Sequence, residues 1–134
     1  MKGKLHFDGA SRGNPGPAGA GFILTDEGGE VLARKSRYLG EATNNEAEYR
    51  ALLDGLKEAF RRGITELEIF SDSELVVSQI RGTYRVKAAN LKPLYEEALR
   101  LISRFRSVKI FHVPREKNRE ADSLANRALD ARRS

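Results

Sequence analysis

The order in which the apolar periodicity changes along the chain constrains the fold most strongly. Near the amino terminus, an alternating segment at residues 4–8 and two further strand-like segments, the last two joined by a hairpin turn, are typical of an antiparallel meander. These strands are followed by a segment with helical periodicity and a fourth strand. Two more helical segments, a fifth strand and a last helical segment come after them. The order βββαβααβα predicts an α/β fold, in which a mixed five-stranded sheet carries helices on both faces.

Turn and capping residues set the expected boundaries of these elements. The first strand, residues 4–8, is predicted to stop at a Gly-rich loop over residues 9–19. Thr43 and Glu46 fit a capping box at the start of the first helix. Each later helix follows a residue whose side chain can cap it, namely Ser73, Asn90 and Asn118. The other strands are expected at residues 20–25, 31–39, 67–70 and 108–113.

Length and composition exclude several classes of protein. The 134 residues predict one domain, residues 1–134. No apolar run approaches the ~18 residues of a membrane span, and the amino terminus lacks the apolar stretch of a signal peptide. The chain has no Cys, which excludes disulfides, zinc thiolate sites and cysteine nucleophiles. We therefore expect a cytoplasmic monomer with no membrane partner.

The positive charge is concentrated at the carboxyl end. The formal net charge is +5, and residues 104–134 carry nine basic against four acidic side chains, so they hold the whole excess. A basic segment of this kind favours a polyanionic partner, above all nucleic acid. A solvated surface that only keeps the protein soluble is the alternative.

Acidic residues occupy positions that stability explains poorly. Asp8 and Asp72 each end a strand, and the carboxyl ends of strands in an open α/β sheet meet at a shared crevice. Turn and helix-start chemistry is the alternative at both positions. Glu48 shares a helix face with Leu52 and Leu56, where a carboxylate is costly unless it is paired or binds a metal.

Asp122 is the fourth such acid, about one turn into the last helix and near its apolar stripe. Stabilisation by the helix dipole is an alternative reason for an acid at this position. Glu46, by contrast, is fully explained by the capping box. Four hard oxygen ligands without a Cys or His cluster suit Mg²⁺, with Mn²⁺ as a substitute, rather than zinc.

The sequence around these acids resembles the type 1 ribonuclease H family. Four blocks carry the resemblance, in the family's order and over nearly the whole chain: residues 8–17 (DGASRGNPGP), 43–48 (TNNEAE), 71–73 (SDS) and 118–125 (NREADSLA). The resemblance implies a metal site of Asp8, Glu48, Asp72 and Asp122. It also implies endonucleolytic hydrolysis of the RNA strand of RNA–DNA hybrids with two Mg²⁺ ions, leaving 5′-phosphate and 3′-hydroxyl ends.

The same resemblance implies a set of nucleic-acid contacts. Several family positions contact the 2′-hydroxyls of the RNA strand. In this chain they match the backbone amides near Gly9 and Ser11 and the side chains of Asn14, Asn44, Asn45 and Glu74. Thr43 matches a residue that helps to hold a phosphate of the DNA strand. Many relatives have Gln where this chain has Glu74, and a carboxylate there can only accept hydrogen bonds. Plain helix-start chemistry is the alternative for Asn44 and Asn45.

Two segments depart from the family pattern. Residues 83–89 are too short for the basic insertion that many members carry, and the chain has no Trp. Residues 114–117 are too short for the family's His-bearing loop, so Arg115 or Lys117 is the candidate for its role, and Arg115 is preferred. A permanently protonated Arg115 would act electrostatically. These features resemble the compact branch of the family.

The two histidines, His6 and His112, fall inside predicted strands, where packing is expected.

The sequence leaves alternative functions open. Cleavage of double-stranded RNA as well as hybrids is a close variant of the leading hypothesis. A non-catalytic nucleic-acid-binding domain and a small-phosphoester hydrolase are the alternatives from other classes. The retained acids argue against the first, and the paired Asn residues and basic end argue against the second.

Overall fold

The computed structural model describes residues 1–131, and its elements follow the expected order. The strands are β1 (Lys2–Ser11), β2 (Gly16–Asp26), β3 (Val31–Ala42), β4 (Glu66–Ser71) and β5 (Ser107–His112). The helices are α1 (Asn44–Arg61), α2 (Glu74–Arg81), α3 (Lys92–Ile102) and α4 (Arg119–Ala131), with a 3₁₀ turn at Arg115–Lys117. Only residues 82–91 join α2 to α3.

The five strands form one mixed sheet in the order β3-β2-β1-β4-β5. β1, β2 and β3 make an antiparallel meander, whereas β4 pairs in parallel with both β1 and β5. The ladder between β1 and β4 ends at His6 opposite Phe70. The last residues of β1 therefore extend beyond β4, and their backbone on that side is open to side chains from other elements.

Helices cover both faces of the sheet, as predicted. Leu5 and Phe7 of β1 are fully buried against the α1 side, where Leu52 and Leu56 are fully buried as well. On the opposite face, α4 packs on β1, β2 and β3. A Cβ at Gly21 would lie 2.5 Å from the Ala125 nitrogen, so the close approach of α4 requires glycine there.

The predicted loop over residues 9–19 is wrong for most of its length. Gly9 pairs with Ala20 and Ser11 with Ala18 in the β1–β2 ladder, so only residues 12–15 form the turn. The small residues are present because helices approach both faces of these strands closely. Asp8 consequently lies within β1 rather than at its end.

The predicted Asn90 cap is also wrong. α3 begins after Leu91, which makes no side-chain capping bond, and Pro93 occupies its first turn. The Asn90 side chain instead lies beside Glu46 at the start of α1, where it helps to lower the pKa of that carboxyl group. The caps at Thr43 and Ser73 are confirmed.

Two findings bear on the remaining sequence expectations. No helix within residues 1–131 combines the length and apolar character that a membrane span requires. Arg132 and Arg133, which belong to the basic carboxyl-terminal segment, lie outside the described residues.

Candidate active site

Three of the four predicted acids converge beside the second half of β1 and the carboxyl end of β4. Asp8 comes from β1, Glu48 from the second turn of α1, and Asp72 from the position directly after β4. One carboxylate oxygen of each lies within 4.8 Å of the others. Asp8 and Glu48 are 6% and 4% exposed, and Asp72 is half-buried. Such a cluster can offer hard oxygen ligands to a divalent cation.

The close approach of α1 to β1 places Glu48 in this cluster. A Cβ at Gly9 would lie 2.2 Å from the backbone carbon of Ala47, so glycine is required where the helix crosses the strand. The Glu48 carboxylate accepts the Gly9 N–H at the open edge of β1. The Glu48 side chain is thus buried on the same helix face as Leu52 and Leu56, as the helical periodicity predicts.

Glu46 performs the structural role that the capping box assigns to it. Its carboxylate accepts the Thr43 N–H at 2.7 Å, and the Thr43 hydroxyl accepts the Glu46 N–H at 3.2 Å. The backbone bond from Thr43 lowers the pKa of Glu46, opposed by partial burial. The neighbouring glutamates of α1 therefore face different environments.

The three acids line an open pocket of about 390 Å³. Asp122 of α4 lines this pocket as well, but it lies outside the tight group of three acids. It lies close enough to Asp8 to help raise the pKa of that carboxyl group. Asn126, one turn later, donates to Asp122 Oδ1 at 3.2 Å. The guanidinium of Arg115 lies 3.9 Å from the same oxygen, and its side chain is 78% exposed. The structure therefore brings all five predicted catalytic residues to one pocket.

Burial makes the acid cluster electrostatically unfavourable without a cation. Burial, and then repulsion by Glu48, raise the pKa of Asp8 far above its ordinary value. Burial also raises the pKa of Glu48, against the lowering effect of hydrogen bonds from Asp8 and Gly9. At neutral pH the metal-free cluster therefore retains a proton that solvent-exposed acids would release.

Asn118 is predicted to cap α4, and it occupies that position, because its carbonyl accepts the Asp122 N–H at 3.1 Å, but its side chain makes no capping bond. Its side chain is buried in the site, where Nδ2 donates to the Phe7 carbonyl at 2.9 Å and to Asp72 Oδ1 at 3.1 Å. Its Oδ1, the atom that would cap a helix, has no hydrogen-bond partner among the described residues. Sequence reasoning missed this role because both partners are distant in sequence.

The predicted nucleic-acid contacts are divided between the pocket and its surroundings. Ser11 and Asn44 line the pocket with the acids. Asn14 lies beside them, because its Oδ1 accepts the Asn44 N–H at 3.0 Å. Among the backbone amides near Gly9 and Ser11 that are predicted to contact the substrate, the Gly9 N–H itself donates to Glu48.

The other predicted contacts do not line this pocket. Thr43 is occupied by the capping box, Asn45 is half-buried in the first turn of α1, and Glu74 is the exposed first residue of α2. All three lie at the starts of the helices that carry or follow the acids.

The two histidines differ from each other. His6 packs as expected, since its ring stacks on Phe70 with centroids 4.7 Å apart and burial lowers its pKa. His112 was also expected to pack, but it is the exposed last residue of β5, with Nε2 3.3 Å from the Asp72 carbonyl oxygen. β5 is an edge strand, and its end is left uncovered.

Comparisons with known proteins agree with this fold and arrangement. A family model described as reverse transcriptase-like matches residues 6–128. Ribonuclease HI of Halobacterium salinarum is 43% identical over 130 residues, which cover 96% of this chain and 65% of that protein. The bifunctional protein Rv2228c of Mycobacterium tuberculosis is 48% identical over 132 residues, which cover 98% of this chain but only 36% of that protein. This chain thus spans about a third of the mycobacterial relative.

Solved structures match over nearly the full chain. The crystal structure of RNase H1 from Halobacterium salinarum superposes with a TM-score of 0.95 at 41% identity, covering 98% of this chain and 99% of that one. LC11-RNase H1, solved in complex with an RNA/DNA hybrid, gives a TM-score of 0.93 at 42% identity, with the same coverage. With most of its length matched in both sequence and fold, the chain belongs to the type 1 ribonuclease H family.

Proposed function

We propose that this chain is a divalent-metal-dependent endonuclease that hydrolyses the RNA strand of RNA–DNA hybrids. The observation that carries the proposal is the convergence of Asp8, Glu48 and Asp72, from three separate elements, within 4.8 Å of one another. A solved relative that binds an RNA/DNA hybrid, LC11-RNase H1, supports the choice of substrate.

The residues of the pocket fit a divalent cation. Asp8, Glu48, Asp72 and Asp122 would hold it, with Mg²⁺ as the expected ion and Mn²⁺ as its substitute. Raised pKa values at Asp8 and Glu48 support this assignment, because positive charge would remove the cost of ionising buried acids. When bound, two such ions supply activation of a water and stabilisation of charge on the departing 3′ oxygen.

The chain's own contribution is to position charged groups. Hydrogen bonds from Gly9 and Asn118 hold the Glu48 and Asp72 carboxylates before any substrate arrives. The exposed guanidinium of Arg115, beside Asp122, would attract the scissile phosphate and stabilise its developing charge. It takes no proton, because a guanidinium stays protonated.

Discrimination of RNA from DNA is proposed to rest on the polar groups beside the acids. Asn44 lines the pocket with Ser11, and its N–H donates to Oδ1 of the adjacent Asn14, so a 2′-hydroxyl there would meet both donors and acceptors. Asn45 and Glu74 would extend this contact along the strand. Thr43 would hold a phosphate of the DNA strand.

The domain of residues 1–134 is proposed to act as a monomer. Every acid of the site, together with Arg115, comes from a single chain, so no second copy is needed to complete the pocket.

A gel assay tests the proposed activity. End-labelled RNA is paired with DNA, with RNA or with nothing, and is incubated with the protein in Mg²⁺ or in EDTA. We expect internal cuts in the RNA of the hybrid in Mg²⁺ only, with 5′-phosphate ends and an intact DNA strand. The double-stranded RNA arm reports whether the site also accepts that substrate.

Two variants accompany the assay. Asp72→Asn removes a proposed ligand and should abolish cutting, whereas Asp54→Asn changes an acid that pairs with Arg37 outside the pocket and should not. Hybrid cleavage in EDTA, cleavage by Asp72→Asn at the parental rate, or failure to cut the hybrid would contradict the proposal.

A further inference from the structure

We propose that Asn118 is a positioning residue for the metal ligands. Its side-chain amide fixes Asp72 relative to the strand that carries Asp8, and it anchors the turn that carries Arg115. This inference rests on the proposed metal site and adds to it a residue that is not itself a ligand.

The two partners of the Asn118 side chain require a group that donates two hydrogen bonds. Both the Phe7 carbonyl and Asp72 Oδ1 only accept hydrogen bonds, at 2.9 and 3.1 Å from Nδ2. The two N–H groups of one amide can donate to both acceptors at once. A carboxylate in the same place would face two acceptors with no donor and would add a further negative charge to the acid cluster.

The Asn118 side chain, hydrogen-bonded to both Phe7 and Asp72, forms a bridge between β1 and the end of β4. The position of this bridge in the sheet explains how it can hold the metal ligands. Backbone pairing between β1 and β4 ends at His6 opposite Phe70, just before the acids. Phe7 directly precedes Asp8, and Asp72 directly follows β4. Asn118 therefore joins the two strands where the ladder no longer holds them, and it sets the separation of the two ligands that follow.

The same residue anchors the turn next to the pocket. The 3₁₀ turn that begins with Arg115 leads directly to Asn118, whose N–H donates to the Arg115 carbonyl at 2.9 Å. Fixing the Asn118 side chain on β1 therefore also fixes the backbone from which the exposed Arg115 guanidinium reaches the pocket.

The burial of Asn118 indicates that its side chain serves the acid site rather than the stability of the fold. The residue is 2% exposed, yet its Oδ1 has no hydrogen-bond partner among the described residues. A buried amide that leaves one polar atom unpaired is poorly suited to stability alone. Donation to Asp72 Oδ1 leaves the other oxygen of that carboxylate for a cation, which is how hydrogen bonds behind metal ligands commonly act.

Magnesium binding without nucleic acid tests the proposal. Asn118→Ala and Asn118→Asp are compared with Leu124→Ala, which removes a buried side chain of α4 that does not line the pocket. Mg²⁺ affinity is measured by calorimetry, and the Mg²⁺ concentration for half-maximal hybrid cleavage is measured separately. We expect both Asn118 variants to bind Mg²⁺ about 10- to 100-fold more weakly, because Asp72 is no longer held in place. Leu124→Ala should bind Mg²⁺ as the parent does, despite its lower stability.

A measurement on the unsubstituted protein covers the case in which the Asn118 variants do not fold. In ¹⁵N NMR spectra, the Asn118 side-chain amide should shift as Mg²⁺ is added, together with the backbone amide of Gly9. The side-chain amide of Asn90, which contacts Glu46, should not shift.

The outcomes separate this inference from the proposed function. Parental Mg²⁺ affinity in folded Asn118 variants, or a Gly9 shift without one at Asn118, would overturn the inference and leave the metal site standing. An unsubstituted protein that shows neither Mg²⁺ heat nor shifts would overturn both.

Discussion

Replacement of Asp8 by Asn should stabilise the metal-free protein while abolishing its activity. Burial and the charge of Glu48 raise the pKa of Asp8 to about 10, so the native protein holds a proton there at neutral pH. The unfolded chain releases this proton near pH ~4. The free energy of unfolding of the metal-free parent should therefore fall as the pH rises from about 4 toward about 10, because unfolding releases a proton throughout that range.

The size of the effect follows from this difference in proton binding. Each pH unit above the unfolded pKa costs about 1.4 kcal/mol, so about three units set a ceiling of about 4 kcal/mol at pH ~7. The open pocket lets solvent screen the acids, and we expect about 2 kcal/mol. Asn at position 8 has no proton to lose, and its amide can still donate to Glu48. The variant should consequently exceed the parent in stability by about that amount.

Urea denaturation in EDTA measures this difference. The parent should lose stability between pH ~5 and ~8, whereas Asp8→Asn should lose distinctly less over that interval, because only the raised pKa of Glu48 remains. Asp54→Asn, outside the pocket, should follow the pH dependence of the parent. A parent and an Asp8→Asn variant with equal stability and parallel pH profiles would refute the electrostatic reasoning.

Catalysis should respond in the opposite direction. In Mg²⁺, Asp8→Asn should cleave hybrid at least ~10³-fold more slowly than the parent, because a metal ligand has been removed. Activity within tenfold of the parent would contradict the assignment of Asp8.

Four further substitutions test individual features of the pocket and its surroundings. Glu48→Gln should lose hybrid cleavage while Glu46→Gln retains most of it, since only Glu48 belongs to the acid cluster; the reverse result in the gel assay would refute the helix-face argument. Arg115→Ala should lower kcat more than it weakens hybrid binding, and an unchanged kcat would remove Arg115 from the site. Gly9→Ala should lower the free energy of unfolding by at least ~2 kcal/mol, because its Cβ would overlap the Ala47 backbone, and an unchanged Tm would contradict the close crossing of α1 and β1.

Features set by short-range patterns could be predicted from the sequence. The capping box of Thr43 and Glu46 is complete within four residues, and its geometry is confirmed. The burial of Glu48 follows from helical periodicity, because Leu52 lies one turn away on the same face. Asp72 was located correctly because it directly follows an apolar strand.

Features that depend on contacts between distant segments could not be predicted. The glycines after Asp8 were assigned to a loop because loops and close helix contacts favour the same residue, and only the packing of α1 and α4 distinguishes them. Asn118 was assigned to a cap because the Phe7 carbonyl and Asp72, its actual partners, are 111 and 46 residues away. The exposure of His112 depends on where an edge strand ends, which apolar alternation does not define.

Diffraction from crystals of the protein soaked in Mn²⁺, recorded for its anomalous signal, tests the central claim most directly. We predict an anomalous peak among the carboxylate oxygens of Asp8, Glu48 and Asp72, absent from crystals of Asp72→Asn treated in the same way. Peaks confined to other acidic groups, or no peak between these oxygens, would contradict the claim that the fold gathers these acids to hold a divalent cation.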